Sequence, residues 1–567
     1  MSREKSTKLG ALALSLMLGV TASGQAAADA NIVIVNLDGP NEGFNDPTRA
    51  RPVGGNKGKT LGEQRLIAFQ HAAGIWGGTV DSNVTIRIQA AFNPLGPGIL
   101  GSAGAISVSR DFSGVGQFPG AEFPATWYGA ALANKRAGVD LEPTTNDINA
   151  QFSSNFNFYL GLDNNHGVLP DLVAVLLHEF GHGLNFQTFY NRSNGAPFQG
   201  HTDIYARFLF DRTIDLLWPD MSNPQVAASS INFGNLVWTG NTVTDAVPVV
   251  LFLGNPQVDV LTPPEIARSY QFGTAAFGPP IGSPDVIDPV VAALDAADAA
   301  GPATTDGCSA FTNEPAIAGN IALIERGTCA FALKARNATD AGASAVIIYN
   351  NAANAEAAPP GMADDGVNGP FVTIPAVSMT RADGLAIVAQ LGNGVTAQLI
   401  VDPNVRAGAD PEGRARLYAP NPLVGGSSVS HYDSIANRNL LMEPAINPDL
   451  THNVSAPDDL THELFLDIGW FPDADLDGVA NALDRVANSD FSPTIVIGDI
   501  DTGVPNRLLR DGSTMSDAIA DATAAARNQR QFVEAVARLA EGWRREGLNT
   551  QAQKDAVVSA AAGLKSQ

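Results

Sequence analysis

The pentapeptide His178-Glu179-Phe180-Gly181-His182 decides how the rest of the chain is interpreted. It lies in a strongly helical stretch, residues 170–184, in which Pro170 suits the first helical position and Asp171 suits the positive end of the helix dipole. Histidines four residues apart lie on one face of a helix, at the spacing that tetrahedral zinc needs from two imidazoles. Glu179 lies beside them and is predicted to be the general base that accepts a proton from water.

Apolar side chains cover nearly every other side of this helix, which predicts that it is buried. They are Leu172, Val173, Val175, Leu176, Leu177, Phe180 and Leu184. Burying two histidines and a glutamate without partners would cost several kcal/mol. A chance match in a surface helix is the simpler alternative, but the chain has only eight histidines. The helix therefore predicts catalytic zinc and the hydrolysis of peptide bonds by an activated water.

A catalytic zinc needs a third protein ligand and one open position for water. A second glutamate is a poor candidate, because after the helix no Glu occurs before Glu265. The better candidate is His431, in the segment Ser427-Ser428-Val429-Ser430-His431-Tyr432-Asp433. His201 and Asp203 remain the alternative ligands, and a histidine in a surface loop is the simpler interpretation of His431.

The late histidine and Met442, which follows it, resemble the leishmanolysin-type metzincins. In that family an insertion delays the third histidine, which has a serine before it and an aromatic residue after it, and a tight turn carrying methionine follows. The resemblance implies a zincin-like metalloprotease domain with His431 as the third ligand and Met442 as apolar packing beneath the metal. The sequence departs from the usual motif at Asn185 and Thr188, where the family has Gly and His. Asn tolerates left-handed backbone next best after Gly, so the helix can still turn there.

A folded insert is predicted between His182 and His431, which are 249 residues apart (431 minus 182). A structureless loop of that length is rare in a compact domain. Within the insert, residues 331–341 predict a helix and residues 345–349 a buried strand. Several segments resemble a protease-associated (PA) domain: 306–308, 321–331, 334–335, 341–350 and 371–378. That resemblance implies a β-rich unit for substrate access or protein binding, without a catalytic residue.

The chain has two cysteines, Cys308 and Cys329. In an exported chain a pair this close in sequence predicts one disulfide, with two free buried thiols as the alternative. The PA resemblance also supports the bridge, which would close a loop of about twenty residues and contribute roughly 3 kcal/mol. Two cysteines cannot form a cysteine-only zinc site, so a metal would use histidines and carboxylates.

The N-terminus predicts export. Arg3, Lys5 and Lys8 precede a short apolar run, residues 9–20, and Ala26-Ala27-Ala28 offers a cleavage site. An uncleaved anchor is the alternative, but the run is short for a membrane span. We expect a secreted or periplasmic protein with no membrane span in the mature chain. The net charge of -24, from 34 basic and 58 acidic residues, disfavours a nucleic-acid partner. The expected partners are protein or peptide substrates.

An acidic stretch near the C-terminus, residues 473–484, predicts a structural calcium site. Oxygen donors at loop positions 1, 3, 5 and 12, the backbone carbonyl at position 7 and Gly at position 6 suit this hard cation. The donors are Asp473, Asp475, Asp477, Val479 and Asp484. The Asp at position 12 resembles the calcium loops of thrombospondin type 3 repeats, and an acidic linker is the alternative.

The predicted fold class is α+β, with a metalloprotease domain interrupted by the PA insert. The predicted order is a signal peptide (1–28), the first part of the metalloprotease domain (31–240), the PA domain (241–410), the second part (411–470), a calcium-binding linker (471–500) and a helical module (501–567). The predicted function is that of a zinc-dependent endopeptidase. The alternative is a non-catalytic extracellular protein-binding module on the same scaffold, which the intact Glu179 disfavours.

Overall fold

A computed structural model describes residues 30–116, 118–355, 357–471, 485–486, 489–490, 492–507, 509, 512–545 and 548–564. The predicted signal peptide and the predicted calcium ligands Asp473, Asp475, Asp477, Val479 and Asp484 lie outside these residues. No helix in the described part of the chain is long and apolar enough to cross a membrane.

The N-terminal half begins with a mixed sheet and the helices packed on it. Its elements are β1 (Ile32–Asn36), α1 (Leu61–Gly77), β2 (Ile86–Asn93), β3 (Gly101–Ala105), β4 (Val108–Ser109), β5 (Tyr128–Gly129), α2 (Ala130–Ala137), β6 (Ile148–Ser153), α3 (Leu172–Gly183), β7 (Leu209–Asp211), β8 (Leu216–Leu217), α4 (Asn223–Ser229), β9 (Leu236–Trp238) and α5 (Asn241–Val250). The main sheet has the strand order β1-β2-β6-β3. β1, β2 and β6 run parallel, and β3 lies antiparallel at the edge. β1 is the opposite edge of this sheet, and its Val33 is 40% exposed.

The helix that carries the pentapeptide begins at Leu172, two residues after Pro170, the predicted first helical position. Asp171 is the N-cap, and its side chain accepts a hydrogen bond from the amide of Val173 at 2.9 Å. Pro170 is outside α3, because its carbonyl instead accepts from the amide of Tyr159 at 2.9 Å. Every residue from Leu172 to Gly183 is buried, as the apolar pattern predicts.

The insert forms a larger sheet of eight strands. Its elements are β10 (Leu253–Thr262), β11 (Arg268–Ser269), β12 (Gly273–Thr274), β13 (Val286–Ala292), α6 (Glu314–Ile317), β14 (Ile321–Glu325), α7 (Phe331–Asp340), β15 (Ala345–Tyr349), β16 (Ala376–Met379), α8 (Arg381–Gln390) and β17 (Thr396–Arg406). The strand order is β11-β10-β17-β13-β14-β15-β16-β12. Two separate apolar clusters pack around it. The helix and buried strand predicted for residues 331–341 and 345–349 are confirmed as α7 and β15. Cys308 and Cys329 form the predicted disulfide, with an S–S distance of 2.12 Å.

The chain on both sides of the insert shares one core. Residues from Ala409 to Trp470, including α9 (Thr461–Asp467), pack with the N-terminal half in one apolar cluster. The indole of Trp470 donates a hydrogen bond to the carbonyl of Leu184, the residue after α3, at 2.8 Å. α5 lies in the stretch predicted for the insert, but Val243, Val247 and Val250 place it in this first core. The insert therefore interrupts one folded unit.

A smaller unit follows at the C-terminus. It contains β18 (Thr494–Ile497), β19 (Ile500–Pro505), α10 (Met515–Ala525), α11 (Gln529–Arg545) and α12 (Gln551–Gly563), with a core of their own. β18 lies in the stretch predicted as a calcium-binding linker. Ile495 and Ile497 point from β18 into this core, so the hairpin packs with the helices.

Candidate metal centre

Three histidine side chains meet in the first core. The Nε2 atoms of His178, His182 and His431 are each 3.2 Å from the other two. All three side chains are buried. Within the described part of the chain, no other set of three His, Cys, Asp or Glu residues brings its ligand atoms so close together. The structure thus brings two residues of α3 together with a histidine from beyond the insert.

The other nitrogen of each ring is held by a backbone carbonyl. Nδ1 of His178 contacts the carbonyl of Leu441 at 2.7 Å. Nδ1 of His182 contacts that of Phe186 at 2.8 Å, and Nδ1 of His431 that of Ser427 at 2.7 Å. A carbonyl oxygen can only accept, so each Nδ1 carries the proton and each Nε2 presents a lone pair to the shared centre.

This donor set fits a zinc ion. Three lone pairs that face one another without a proton between them attract a cation and repel one another without it. Zn–N distances of about 2.0–2.1 Å in a tetrahedron place the nitrogens about 3.3 Å apart. The observed separations of 3.2 Å match that geometry. Carbonyl acceptors behind histidine ligands are the usual second layer of a metal site.

Burial keeps the three imidazoles neutral, which is the form that binds metal. It lowers the pKa of His178 to about 4 and that of His182 to about 3. The pKa of His431 is lowered well below its ordinary value, again mainly by burial and then by the two neighbouring histidines. Protons therefore compete weakly with a metal at this site near neutral pH.

Glu179 is buried between α3 and the edge strand β3. Loss of water around it raises the pKa of its carboxyl group to about 8, and a backbone hydrogen bond from Ala103 in β3 opposes that shift. A Cβ atom at Gly101 would lie only 3.0 Å from Oε1 and 2.9 Å from Cγ of Glu179. The absence of a side chain at Gly101 thus leaves room for Glu179. Nothing in the sequence indicated this role of Gly101.

Met442 lies against α3 at the point between the two helix histidines. A Cβ atom at Gly181 would be 2.8 Å from its sulfur, so glycine allows this close contact. Met442 is completely buried. The preceding residue, Leu441, provides the carbonyl that holds His178, and its own amide donates to Asp459 at 2.6 Å. Asp459 is a buried carboxylate that the sequence did not single out.

The alternative ligands lie apart from the three-histidine group. Asp203 accepts hydrogen bonds from the hydroxyl of Thr188 at 2.8 Å and from the amide of Ala206 at 2.7 Å. His201 makes an edge contact with Trp127, at 6.3 Å between ring centres. Asn185 does adopt positive φ, 92°, and its side chain accepts a hydrogen bond from the amide of Gly129. This conformation ends α3 and turns the chain away.

Of three comparisons with known proteins, the one with family models matches the insert. Residues 286–387 match the PA domain family, so the chain contains a PA domain. An aminopeptidase of Pseudomonas aeruginosa is 53% identical over 62 residues, which is 11% of either chain. The human ER degradation-enhancing alpha-mannosidase-like protein 3 is 40% identical over 87 residues, 15% of this chain and 9% of the relative. The chain therefore spans about a tenth of the length of these curated relatives.

Among solved structures, an aminopeptidase from Aneurinibacillus sp. strain AM-1 is 24% identical, with a TM-score of 0.20. The similarity covers 27% of this chain and 31% of that one. The names of these similar proteins include both peptidases and a mannosidase-like protein.

Proposed function

We propose that this chain is a zinc-dependent endopeptidase. One observation carries the proposal: three neutral imidazoles converge at 3.2 Å, and the buried carboxyl group of Glu179 directly follows His178 on the same helix. Three protein ligands with a fourth position left open are the arrangement of catalytic rather than structural zinc.

The chemistry divides between the metal and Glu179. When bound, Zn²⁺ supplies the Lewis acid that polarises the peptide carbonyl and lowers the pKa of the attacking water. Glu179 takes the proton from that water as general base and then delivers it to the leaving amine nitrogen. The apolar surroundings raise the pKa of Glu179 in the metal-free chain, which favours its holding the transferred proton.

The edge strand β3 supports cleavage within a chain. β3 pairs with β6 on one side and is the last strand of its sheet. It consists of small residues, Gly-Ser-Ala-Gly-Ala, and it lies directly beside Glu179. An extended polypeptide can add to such an edge by backbone hydrogen bonds and run past the carboxylate in both directions.

An exopeptidase is the second candidate, because two of the similar proteins are named aminopeptidases. A third possibility is a non-catalytic protein-binding module. We further propose that the catalytic unit is a leishmanolysin-like metzincin, with His431 as third ligand and Met442 beneath the metal. Secretion after removal of residues 1–28 and calcium binding by residues 473–484 are proposals that rest on the sequence patterns alone.

The test uses internally quenched decapeptides with acetylated N-termini and amidated C-termini. We expect the zinc-loaded protein to cleave them, and Glu179→Gln to lower kcat by about 10²–10⁴-fold with its zinc retained. Cleavage only of peptides with a free N-terminus would show an aminopeptidase. Equal activity of Glu179→Gln would refute the proposed base, and a protein that binds the peptides without cleaving them would be a binding module.

A further inference from the structure

The turn that ends in His431, residues 427–431, is held from outside through its backbone carbonyls. The carbonyl of Ser428 accepts a hydrogen bond from Nη1 of Arg192 at 2.6 Å. The next carbonyl, that of Val429, accepts one from the hydroxyl of Tyr205 at 2.9 Å. The two donors lie 236 and 224 residues earlier in the chain, in the stretch that follows α3. The His431 turn is therefore held by the part of the first unit that precedes the insert.

Val429 adopts a backbone conformation that valine rarely takes. Its φ is 74°, in the left-handed region, where the Cβ atom of an L-residue comes too close to the following carbonyl oxygen. Glycine would avoid this cost, but the side chain of Val429 is completely buried in the first core. Such a conformation persists only where the surrounding contacts hold it. Those contacts are the bond from the Val429 amide to the carbonyl of Tyr418, at 2.7 Å, and the bond from the Tyr205 hydroxyl.

The side chain of Tyr205 is itself firmly placed. It is completely buried, and its ring packs against Trp238 and Phe186, at 4.9 and 5.4 Å between ring centres. Burial raises the pKa of Tyr205 well above its ordinary value, so the hydroxyl keeps its proton and donates. Asp203 fixes the backbone around Tyr205, because its carboxylate accepts a hydrogen bond from the amide of Ala206 at 2.7 Å. Tyr205 thus offers the turn a donor at a fixed position.

The position of His431 depends on this turn more than the positions of the other two histidines do. His178 and His182 are fixed relative to each other by one helix. The three Nε2 atoms lie 3.2 Å apart, and their lone pairs repel one another when no cation lies between them. A return of Val429 to negative φ would rotate the chain two residues before His431 and relieve that repulsion. The hydrogen bond from Tyr205 opposes this movement.

We propose that Tyr205 is a positioning residue for the metal centre. Its hydroxyl holds Val429 in the left-handed conformation, which keeps His431 directed at the two helix histidines before a metal binds. A ligand that is already in place does not have to be ordered by the metal, so zinc binds more tightly. The inference rests on the zinc site of the proposed function, and it does not depend on which substrate is cleaved.

The first test is the zinc affinity of the full chain, measured by competition with a chromophoric chelator. We expect Tyr205→Phe, which removes only the hydroxyl, to bind zinc about 10-fold more weakly. Its bound Co²⁺ should also absorb visible light less strongly, because that absorption depends on tetrahedral coordination. Tyr270→Phe is the matched control, since Tyr270 is a buried tyrosine of the insert whose hydroxyl donates to the carbonyl of Ile266 at 2.8 Å. It should leave zinc affinity unchanged.

Val429→Gly separates a positioning role from a general loss of packing. Glycine takes the left-handed conformation without strain, so the hydroxyl is no longer needed to hold it. In the Val429→Gly background we expect Tyr205→Phe to change zinc affinity by less than about 3-fold. An equal loss in both backgrounds would overturn the inference, and so would an unchanged zinc affinity of Tyr205→Phe alone. If Val429→Gly does not fold, the two tyrosine variants decide: only a loss confined to Tyr205→Phe supports the inference.

The outcomes also separate this inference from the proposed function. Zinc binding that weakens in Tyr205→Phe, in a chain that cleaves no peptide, would leave the positioning role and remove the peptidase. Peptide cleavage by a chain whose zinc affinity is independent of Tyr205 would do the reverse. A chain that binds no zinc would refute both.

Discussion

The metal centre and the insert are built in opposite ways. The three histidines come from two segments 249 residues apart, and the centre exists only when the chain on both sides of the insert packs together. The eight-stranded sheet of the insert comes from one continuous stretch, from Leu253 to Arg406. The candidate metal centre is thus non-local, whereas the unit beside it is local.

The junction between the insert and the first unit explains why a continuous insert and a non-local metal centre can coexist. At the entry to the insert, the carbonyl of Phe252 accepts a hydrogen bond from the amide of Ala407 at 3.1 Å, so the insert leaves and returns at nearly the same point. The cost of closing such a connection grows only logarithmically with its length. A large folded unit can therefore be placed there without displacing His431 from the two helix histidines.

The contrast between the metal centre and the insert is tested most directly at His431, the ligand from beyond the insert. Structural zinc contributes roughly 10–16 kcal/mol in total, so losing one of three histidines should cost several kcal/mol. We expect His431→Ala to lose zinc in equilibrium dialysis, by at least about 10³-fold in affinity, whereas His201→Ala retains one zinc. The opposite pattern would move the third ligand to the segment that contains His201 and Asp203.

Removal of the disulfide tests whether the insert unfolds independently of the metal centre. Cys308 and Cys329 are 21 residues apart, and their cross-link should stabilise the insert by about 3 kcal/mol. In the double variant Cys308→Ser/Cys329→Ser, hydrogen exchange should become faster in β14 and β15 by a factor of about 10² while zinc content stays unchanged. Parallel loss of zinc would show that the two units unfold as one.

Asp459 provides a smaller test within the metal centre. Its carboxylate accepts the amide of Leu441, whose carbonyl holds His178. We expect Asp459→Ala to weaken zinc binding about 10–100-fold, the usual effect of losing an outer partner. Asp458→Ala, one residue away and paired with Arg438, is the control that should leave zinc affinity unchanged.

Met442 should give the smallest effect. Exchange of methionine for leucine nearly conserves volume and costs less than about 1.5 kcal/mol. Met442→Leu should therefore keep its zinc and lose less than about 3-fold in kcat. Loss of the metal in this variant would contradict a role limited to apolar packing against Gly181.

Local patterns predicted the elements on which both regions depend. The spacing and apolar flanks of the pentapeptide predicted a buried helix, and α3 is buried throughout. The helix at residues 331–341 and the strand at residues 345–349 were predicted equally well, because an amphipathic helix and a short continuous apolar run are both local signals. Pro170 was misplaced, since the competing cap at Asp171 depends on a side-chain hydrogen bond that composition does not show.

Partners that meet only after folding gave no such signal. Gly101 is one of 56 glycines, and only its position beside Glu179 distinguishes it. Asp459 and the carbonyl of Leu441 are equally ordinary in sequence.

By itself the sequence determined the residue types, the helical spacing of His178 and His182, the pair of cysteines and the PA-like pattern of the insert. Only the tertiary structure decided that His431, rather than His201 or Asp203, lies at 3.2 Å from the helix histidines. The physical reason is that a helix fixes the distance between residues four apart, whereas a contact across 249 residues depends on how the whole core packs.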